Sequence, residues 1–101
     1  MKRDFVSILD WTSEEIRSNL DFAVELKQQT KEGKCTQLLQ RKTFGLFFHK
    51  PSLRTRLSFE VGIPQLGGTA MVLSEQDFKI GERETVSDVA RVMSRYVDGI
   101  L

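Results

Sequence analysis

The sequence predicts an α/β fold in which a parallel sheet carries helices on both faces. Segments with helical periodicity alternate with short apolar runs, in the order helix, strand, helix, strand, helix, strand. A parallel sheet with right-handed crossovers accommodates that alternation, because each helix returns the chain to the edge where the next strand starts. The 101 residues are enough for one small domain and not two.

The first helix is predicted to begin after Thr12. Thr12 and Glu15, three residues apart, have the spacing of a capping box, in which each side chain bonds the other residue's backbone N–H. Lysines and Gly33 indicate where the helix ends. The apolar residues between these limits share one helical face: Ile16, Leu20, Ala23 and Val24.

The first strand is predicted at residues 42–48, "KTFGLFF", which is apolar on both faces and therefore buried. The helix after it has two apolar stripes and should pack on both sides. Pro64 lacks a backbone donor and clashes with the carbonyl of Glu60, so we expect a kink or an early loosening before Gly67. The stripes are Leu57, Val61 and Pro64, and Phe59, Ile63 and Leu66.

The second half of the chain repeats the alternation. Residues 69–73, "TAMVL", predict a short strand, and the polar segment from Ser74 to Arg83 predicts a loop. A third amphipathic helix follows, and "DGIL" at 98–101 begins another strand. Because that last apolar run only opens a strand, we expect these residues to be the N-terminal portion of a longer protein. The third helix has its apolar positions at Val86, Val89, Ala90, Met93 and Val97.

Composition excludes several classes of function. Fifteen basic and fourteen acidic residues give a net charge of +1, which argues against a general affinity for nucleic acid or acidic membranes. No apolar run is long enough to span a membrane, and no signal peptide opens the chain, so we expect a soluble, cytoplasmic protein. Cys35 is the only cysteine, which excludes an internal disulfide and predicts a loop thiol without a role.

The turn after the first strand has the composition of an anion site. In residues 47–60, "FFHKPSLRTRLSFE", the strand gives way to a serine, an arginine and a threonine just before a helix. Unpaired backbone N–H groups and the helix dipole attract anions at such a turn. Ser52 and Thr55 add hydroxyl donors, and Arg54 adds a planar fork that can bind two phosphate oxygens. This combination suits a phosphate monoester or an acyl phosphate.

Two other interpretations of this turn stay open. The turn has neither a P-loop nor a dinucleotide-binding glycine pattern, so no known phosphate motif supports it. Ser52 could merely cap the helix, and the arginines could be solvated or paired with Glu60. Arg56 is two residues from Arg54 and points to a different face of the helix, so we expect a structural role for it.

The segment "FHKPSLRTRLSFEVGIPQLGG" at 48–68 closely resembles the carbamoyl-phosphate signature of the aspartate/ornithine carbamoyltransferase family, usually F-E-K-x-S-T-R-T-R. The segment "GERETVSDVARVMSRYVDGI" at 81–100 resembles the next helix and strand of that family, particularly of its ornithine branch. The similarity covers essentially the whole chain. It implies that residues 1–101 are the N-terminal portion of the carbamoyl-phosphate-binding domain, and that the amino-acid-binding domain is not present in this sequence.

The resemblance also implies roles for individual residues. Ser52, Leu53, Arg54 and Thr55 would bind the phosphate of carbamoyl phosphate, with Arg54 and Thr55 as catalytic residues. Leu53 departs from the usual threonine, so its N–H remains but a hydroxyl is lost. The family is trimeric, and Lys79 would reach the ligand from the neighbouring subunit, unless it is an ordinary exposed lysine.

His49 also departs from the family pattern, because it replaces the customary glutamate. That substitution removes a charge interaction beside the site but leaves the loop itself in place. We interpret His49, the only histidine, as a strand-end residue rather than a base.

The implied reaction is carbamoyl transfer from carbamoyl phosphate to the δ-amino group of ornithine, which gives citrulline and phosphate in arginine biosynthesis without a metal or other cofactor. The family segments that carry acceptor specificity, H-P-x-Q among them, do not occur in these 101 residues, so the segment alone should not catalyse. Aspartate or an N-acylated ornithine as acceptor, and a non-catalytic anion-binding module, are the alternatives. A nucleic-acid role for "HKPSLRTR" is weaker, because the basic residues lack interleaved aromatics.

Overall fold

The computed structural model describes residues 3–34, 36–74 and 85–101. The chain forms two compact units, Met1–Lys34 and Cys35–Leu101. Cys35, Lys79 and all of the predicted loop except its first residue, Ser74, lie outside the described residues.

The first unit contains a short 3-10 helix, Ile8–Asp10, and helix α1, Ser13–Lys31. The predicted capping box is confirmed. The Glu15 N–H donates to Thr12 Oγ1 at 3.1 Å, and the Thr12 N–H donates to Glu15 Oε1 at 2.9 Å. These two bonds satisfy backbone donors that the start of a helix leaves without partners, so local sequence alone sets where α1 begins.

Arg3 ties the N-terminal segment to the start of α1. Its guanidinium hydrogen-bonds to the Glu15 carboxylate and lies 3.8 Å from the ring centroid of Trp11, a cation–π distance. Phe5 packs beside the same indole, with ring centroids 5.6 Å apart. The hydrogen bond from Arg3, joined by that from the Thr12 backbone, lowers the pKa of Glu15 to about 2.

The second unit is a three-stranded parallel sheet in the order β2-β1-β3, which confirms the predicted α/β class. Its elements alternate along the chain as expected. Strand β1 is central, so both of its faces and both of its edges are covered, which explains its uninterrupted apolar sequence. The elements are β1 Thr43–Phe47, α2 Leu53–Gln65, β2 Thr69–Leu73, α3 Val86–Tyr96 and β3 Gly99–Ile100.

Helices α2 and α3 lie on opposite faces of the sheet. Neighbouring residues of a strand point to opposite faces of the sheet, so the surroundings of Phe44 and of Gly45 in β1 show which helix covers each face. Phe44 lines an apolar cavity together with Ile63 of α2. A Cβ built on Gly45 would lie 2.5 Å from Cε of Met93 in α3. Glycine at position 45 therefore lets α3 pack directly on the central strand.

The core of this unit forms where the helices meet β1. Leu46 has no solvent-exposed surface, and the other buried apolar side chains come one from α2 and two from α3. Those three are Ile63, Val89 and Met93. The core thus holds β1 against both helices. The turn that connects β1 to α2 is positioned by the packing of these two elements.

Helix α2 ends one residue after Pro64, which agrees with the expected early loosening. The N–H of Leu66 is shared between the carbonyls of Gly62 and Ile63, at 3.2 and 3.1 Å. The N–H of Gly67 then donates to Pro64, and that of Gly68 donates to Ile63, which is the Schellman pattern. Gly67 has φ 91°, a conformation that favours glycine, so the turn into β2 depends on it.

Candidate anion-binding site

An open cavity of about 430 Å³ lies where β1 and β2 end. The two strands are parallel neighbours, so their carboxyl ends meet at the same edge of the sheet, the edge at which such sheets bind ligands. Residues after β1, the start of α2 and the residue after β2 form its walls. The lining residues are Phe48, His49, Lys50, Pro51, Ser52, Arg56 and Ser74.

The start of α2 presents backbone donors at this edge. The first N–H to find an acceptor within the helix is that of Arg56, which donates to the Ser52 carbonyl at 2.9 Å. The N–H groups of Leu53, Arg54 and Thr55 precede that bond and have no acceptor four residues earlier in the helix. No acidic residue occupies the first turn of α2. The positive end of the helix dipole is therefore not neutralised by its own side chains.

The Ser52 side chain does not cap α2. Ser52 occupies the N-cap position with φ −151° and ψ 78°, but its hydroxyl makes no capping hydrogen bond. The N-cap threonines of the other two α-helices in the described part of the chain do cap: Thr12 accepts from Glu15, and Thr85 accepts from Asp88 at 3.1 Å. The capping alternative for Ser52 is thus not what the structure shows, and Ser52 is one of the residues that line the cavity.

Three more of the predicted binding residues, Leu53, Arg54 and Thr55, lie in the first turn of α2 and are exposed to solvent. Leu53 keeps 67% of its surface exposed, and neither Arg54 nor Thr55 is among the residues that line the cavity. The structure therefore brings Ser52 into the cavity wall and places Leu53, Arg54 and Thr55 beside it on the same helical turn.

Arg56 lines the cavity, which the sequence reasoning did not predict. Its Nε donates to Glu60 Oε2 at 3.2 Å, an ion pair between successive turns of α2. That pair agrees with a structural role, but a structural role alone does not account for its place in the cavity wall. The missed signal was the spacing: Arg56 follows Ser52 by four residues, so both occupy one face of the helix.

The charge of the cavity suits an anion. Lys50 and Arg56 contribute cationic side chains, and His49 lies two residues after the end of β1. Among the described residues that line the cavity, none carries a carboxylate. A phosphate group would meet positive charge, a hydroxyl and backbone donors there, which are the groups that bind phosphate.

A second cavity, of about 460 Å³, lies between α2 and β3. Its walls are almost wholly apolar, with Phe59 and Leu66 from the helix and Ile100 from the strand. Such walls offer phosphate no partners. Within residues 3–34, 36–74 and 85–101, no group of three or more histidine, cysteine or acidic residues could hold a metal ion. In those same ranges no helix is long and apolar enough to cross a membrane.

Comparison with known protein families gives a match over residues 3–101, to the carbamoyl-phosphate-binding domain of aspartate/ornithine carbamoyltransferases. Among curated relatives, the ornithine carbamoyltransferase of Syntrophotalea carbinolica is 48% identical over 101 residues, which are 100% of this chain and 33% of that protein. That of Halalkalibacterium halodurans is 50% identical over 99 residues, covering 98% of this chain and 31% of the relative. The chain thus spans about a third of the length of these relatives.

Solved structures give the same result. The ornithine carbamoyltransferase from Pyrococcus furiosus superposes with a TM-score of 0.90 at 48% identity, over 97% of this chain and 31% of that one. The catalytic subunit of aspartate transcarbamoylase from M. jannaschii superposes with a TM-score of 0.82 at 33% identity, over 94% of this chain and 31% of that one. The fold is shared by both, and the sequence is more similar to the ornithine enzyme.

Proposed function

Since the chain belongs to the aspartate/ornithine carbamoyltransferase family, we propose that it binds carbamoyl phosphate at the cavity beside Ser52 and serves an ornithine carbamoyltransferase. In the reaction, the δ-amino nitrogen of ornithine attacks the carbamoyl carbon. A C–N bond forms, the C–O bond to phosphate breaks, the attacking nitrogen gives up a proton, and citrulline and inorganic phosphate are the products. The chemistry needs no metal or other cofactor, because phosphate is a good leaving group and the carbamoyl carbon of the donor is therefore already activated.

The main support for this proposal is that α2 begins at the carboxyl end of β1 with unpaired hydrogen-bond donors. Three backbone N–H groups there have no acceptor within the helix, and the Ser52 hydroxyl makes no capping bond. These donors suit the phosphate oxygens of the ligand. The location at the edge of a parallel sheet supports the same assignment.

Arg54 and Thr55 are the proposed catalytic residues. Charge builds on the phosphate as it departs, and the Arg54 guanidinium would offset it. The Thr55 hydroxyl would polarise the carbamoyl carbonyl. Both residues lie in the first turn of α2 with exposed side chains, next to Ser52 in the cavity wall. Leu53 would contribute its backbone N–H alone. The protein's contribution is orientation and charge stabilisation.

The remaining parts of the proposal concern the whole protein. Residues 1–101 would form the N-terminal portion of the carbamoyl-phosphate-binding domain, with the amino-acid-binding domain outside these residues. The curated relatives, about three times as long as this chain, support that division. A homotrimer in the cytoplasm, with Lys79 reaching the neighbouring subunit's ligand and a place in arginine biosynthesis, completes the proposal.

Two measurements test it. Isothermal titration of the 101-residue chain with carbamoyl phosphate should show saturable binding, and the natural protein that carries these residues should form citrulline from ornithine. Arg54→Ala in that protein should lower turnover by roughly 100- to 1,000-fold, as for other residues that stabilise transition-state charge. Arg91→Ala, on the exposed surface of α3, is the matched control. Near-normal citrulline formation by Arg54→Ala would refute the assigned role.

Aspartate as the acceptor is the second candidate, because the aspartate transcarbamoylase subunit shares the fold. The ornithine enzymes are favoured by identity, 48% against 33% among the solved structures named above. Leu53 gives some weight to a modified acceptor such as N-acylated ornithine. A screen of ornithine, N-acetylornithine and aspartate at fixed carbamoyl phosphate separates the three. Product formation with aspartate alone would replace the ornithine assignment.

A further inference from the structure

The wall of the anion cavity contains a guanidinium that the proposed function does not use. Arg56 lines the cavity with Ser52, whereas Arg54 does not. The reason is helical geometry. Residues four apart overlie one another on a helix, while a residue two positions away is turned to another side. The side of α2 that faces the cavity therefore carries Ser52 and Arg56.

Glu60 holds the Arg56 guanidinium in place. Glu60 follows on the same helical face, one turn further, and accepts from Arg56 Nε at 3.2 Å. A guanidinium has five N–H donors, of which Nε supplies one. Among the described residues, no hydrogen bond or ion pair occupies the two terminal nitrogens of Arg56. Four donors in a fixed plane are therefore left for a ligand.

The carboxylate of Glu60 does not line the cavity, whereas Arg56 does. Lys50 adds a second positive charge to the cavity wall. A planar fork whose Nε is held by a carboxylate is well suited to bind two oxygens of one phosphate group, which a lysine cannot do.

We infer that Arg56, anchored by Glu60, is a second guanidinium contact for the phosphate group of the ligand. This inference rests on the proposed function, because it assigns a further binding residue to the same site. Arg56 contributes affinity for a phosphate with at least two unesterified oxygens, and Glu60 is a positioning residue that acts through Arg56.

The test is titration of the 101-residue chain with carbamoyl phosphate and with inorganic phosphate. Arg56→Gln should bind both roughly 10- to 100-fold more weakly, the effect of removing a hydrogen-bonding charge. Arg56→Lys keeps the charge without the fork and should recover only part of the loss. Glu60→Gln replaces the charged anchor of the fork by a neutral acceptor and should weaken binding by about 3-fold. Arg91→Gln breaks an exposed ion pair with Asp88 on α3 and should leave both affinities unchanged.

A purely structural Arg56–Glu60 pair predicts a different pattern. Arg56→Gln and Glu60→Gln would then lower stability to urea equally and leave phosphate affinity unchanged, and that result would overturn the inference while the proposed function stands. Absence of binding of either anion to the unaltered chain would overturn both. Should Arg56→Gln fail to fold, the resonances of the terminal N–H groups of Arg56 in the unaltered chain decide: they should shift on addition of phosphate, and constant resonances would refute the contact.

Discussion

Thr43 and Asp98 join the first and third strands by a reciprocal pair of hydrogen bonds. The Thr43 N–H donates to Asp98 Oδ2 at 2.8 Å, and the Asp98 N–H donates to the Thr43 carbonyl at 2.8 Å. Asp98 stands immediately before β3, and Thr43 is the first residue of β1. A side chain thus completes the ladder where the short third strand has no backbone acceptor to offer.

Asp98→Ala should destabilise the second unit by about 1–2 kcal/mol, because it leaves the Thr43 N–H without its acceptor at the start of the central strand. Urea unfolding followed by circular dichroism measures the change. Asp98→Asn keeps an oxygen acceptor at the same position and should cost less than half as much. Equal losses in the two variants would show that the negative charge matters rather than the hydrogen bond.

Ser52→Ala should separate binding from stability. Because the Ser52 hydroxyl makes no capping bond, its removal should change the free energy of unfolding by less than about 0.5 kcal/mol. Affinity for phosphate should nevertheless fall, by roughly 3- to 10-fold for one neutral hydrogen bond. Thr85→Ala is the control with the opposite result, since its hydroxyl caps α3: it should cost about 1 kcal/mol and leave phosphate affinity unchanged. A stability loss in Ser52→Ala as large as that of the control would contradict this account.

The stability of the first unit should depend on Glu15 in acid. The hydrogen bond from Arg3 lowers the pKa of Glu15 from 4.5 to about 2. A lowered pKa stabilises the folded state above the unfolded value, and the contribution is lost as pH falls from about 4.5 toward 2. Urea unfolding at several pH values should show this loss in the unaltered chain and not in Glu15→Gln. Glu14→Gln removes the same charge one residue earlier and should retain it.

Local signals in the sequence predicted the elements well. The capping box at Thr12, the apolar run of β1 and the proline near the end of α2 each depend on residues within a few positions of one another, and each appears in the structure as expected. The parallel direction of the strands followed from the alternation of elements. Contacts that join distant segments were missed, as with Thr43 and Asp98, because periodicity carries no information about which strand ends meet.

The site was predicted in part for the same reason. The sequence predicted an anion site at the turn after β1, and the structure places that turn beside an open cavity at the carboxyl edge of the sheet. Periodicity showed that Arg54 and Arg56 occupy different sides of α2, but it could not show which side faces the cavity. That depends on how α2 packs against β1 through Ile63, which is a tertiary contact. Ser74 lines the cavity because β2 pairs with β1, and the sequence did not show that these two strands are neighbours.

Leu53→Thr tests whether the departure from the family pattern weakens the site. Leu53 is 67% exposed at the first position of α2, so its replacement removes little buried apolar surface. The new hydroxyl would stand beside the unpaired N–H groups of the first turn and add one donor for phosphate. Carbamoyl phosphate should therefore bind about 3- to 10-fold more tightly, the usual gain from one neutral hydrogen bond.

The matched control for this substitution is Leu53→Val, which has the shape of threonine without its hydroxyl. Titration of both variants with carbamoyl phosphate distinguishes two causes. A gain confined to Leu53→Thr assigns the effect to the hydroxyl, as expected. An equal gain in both variants would mean that the bulk of leucine, rather than the lost donor, limits binding. No gain in either would show that the backbone N–H of residue 53 already supplies all that this position contributes to the phosphate.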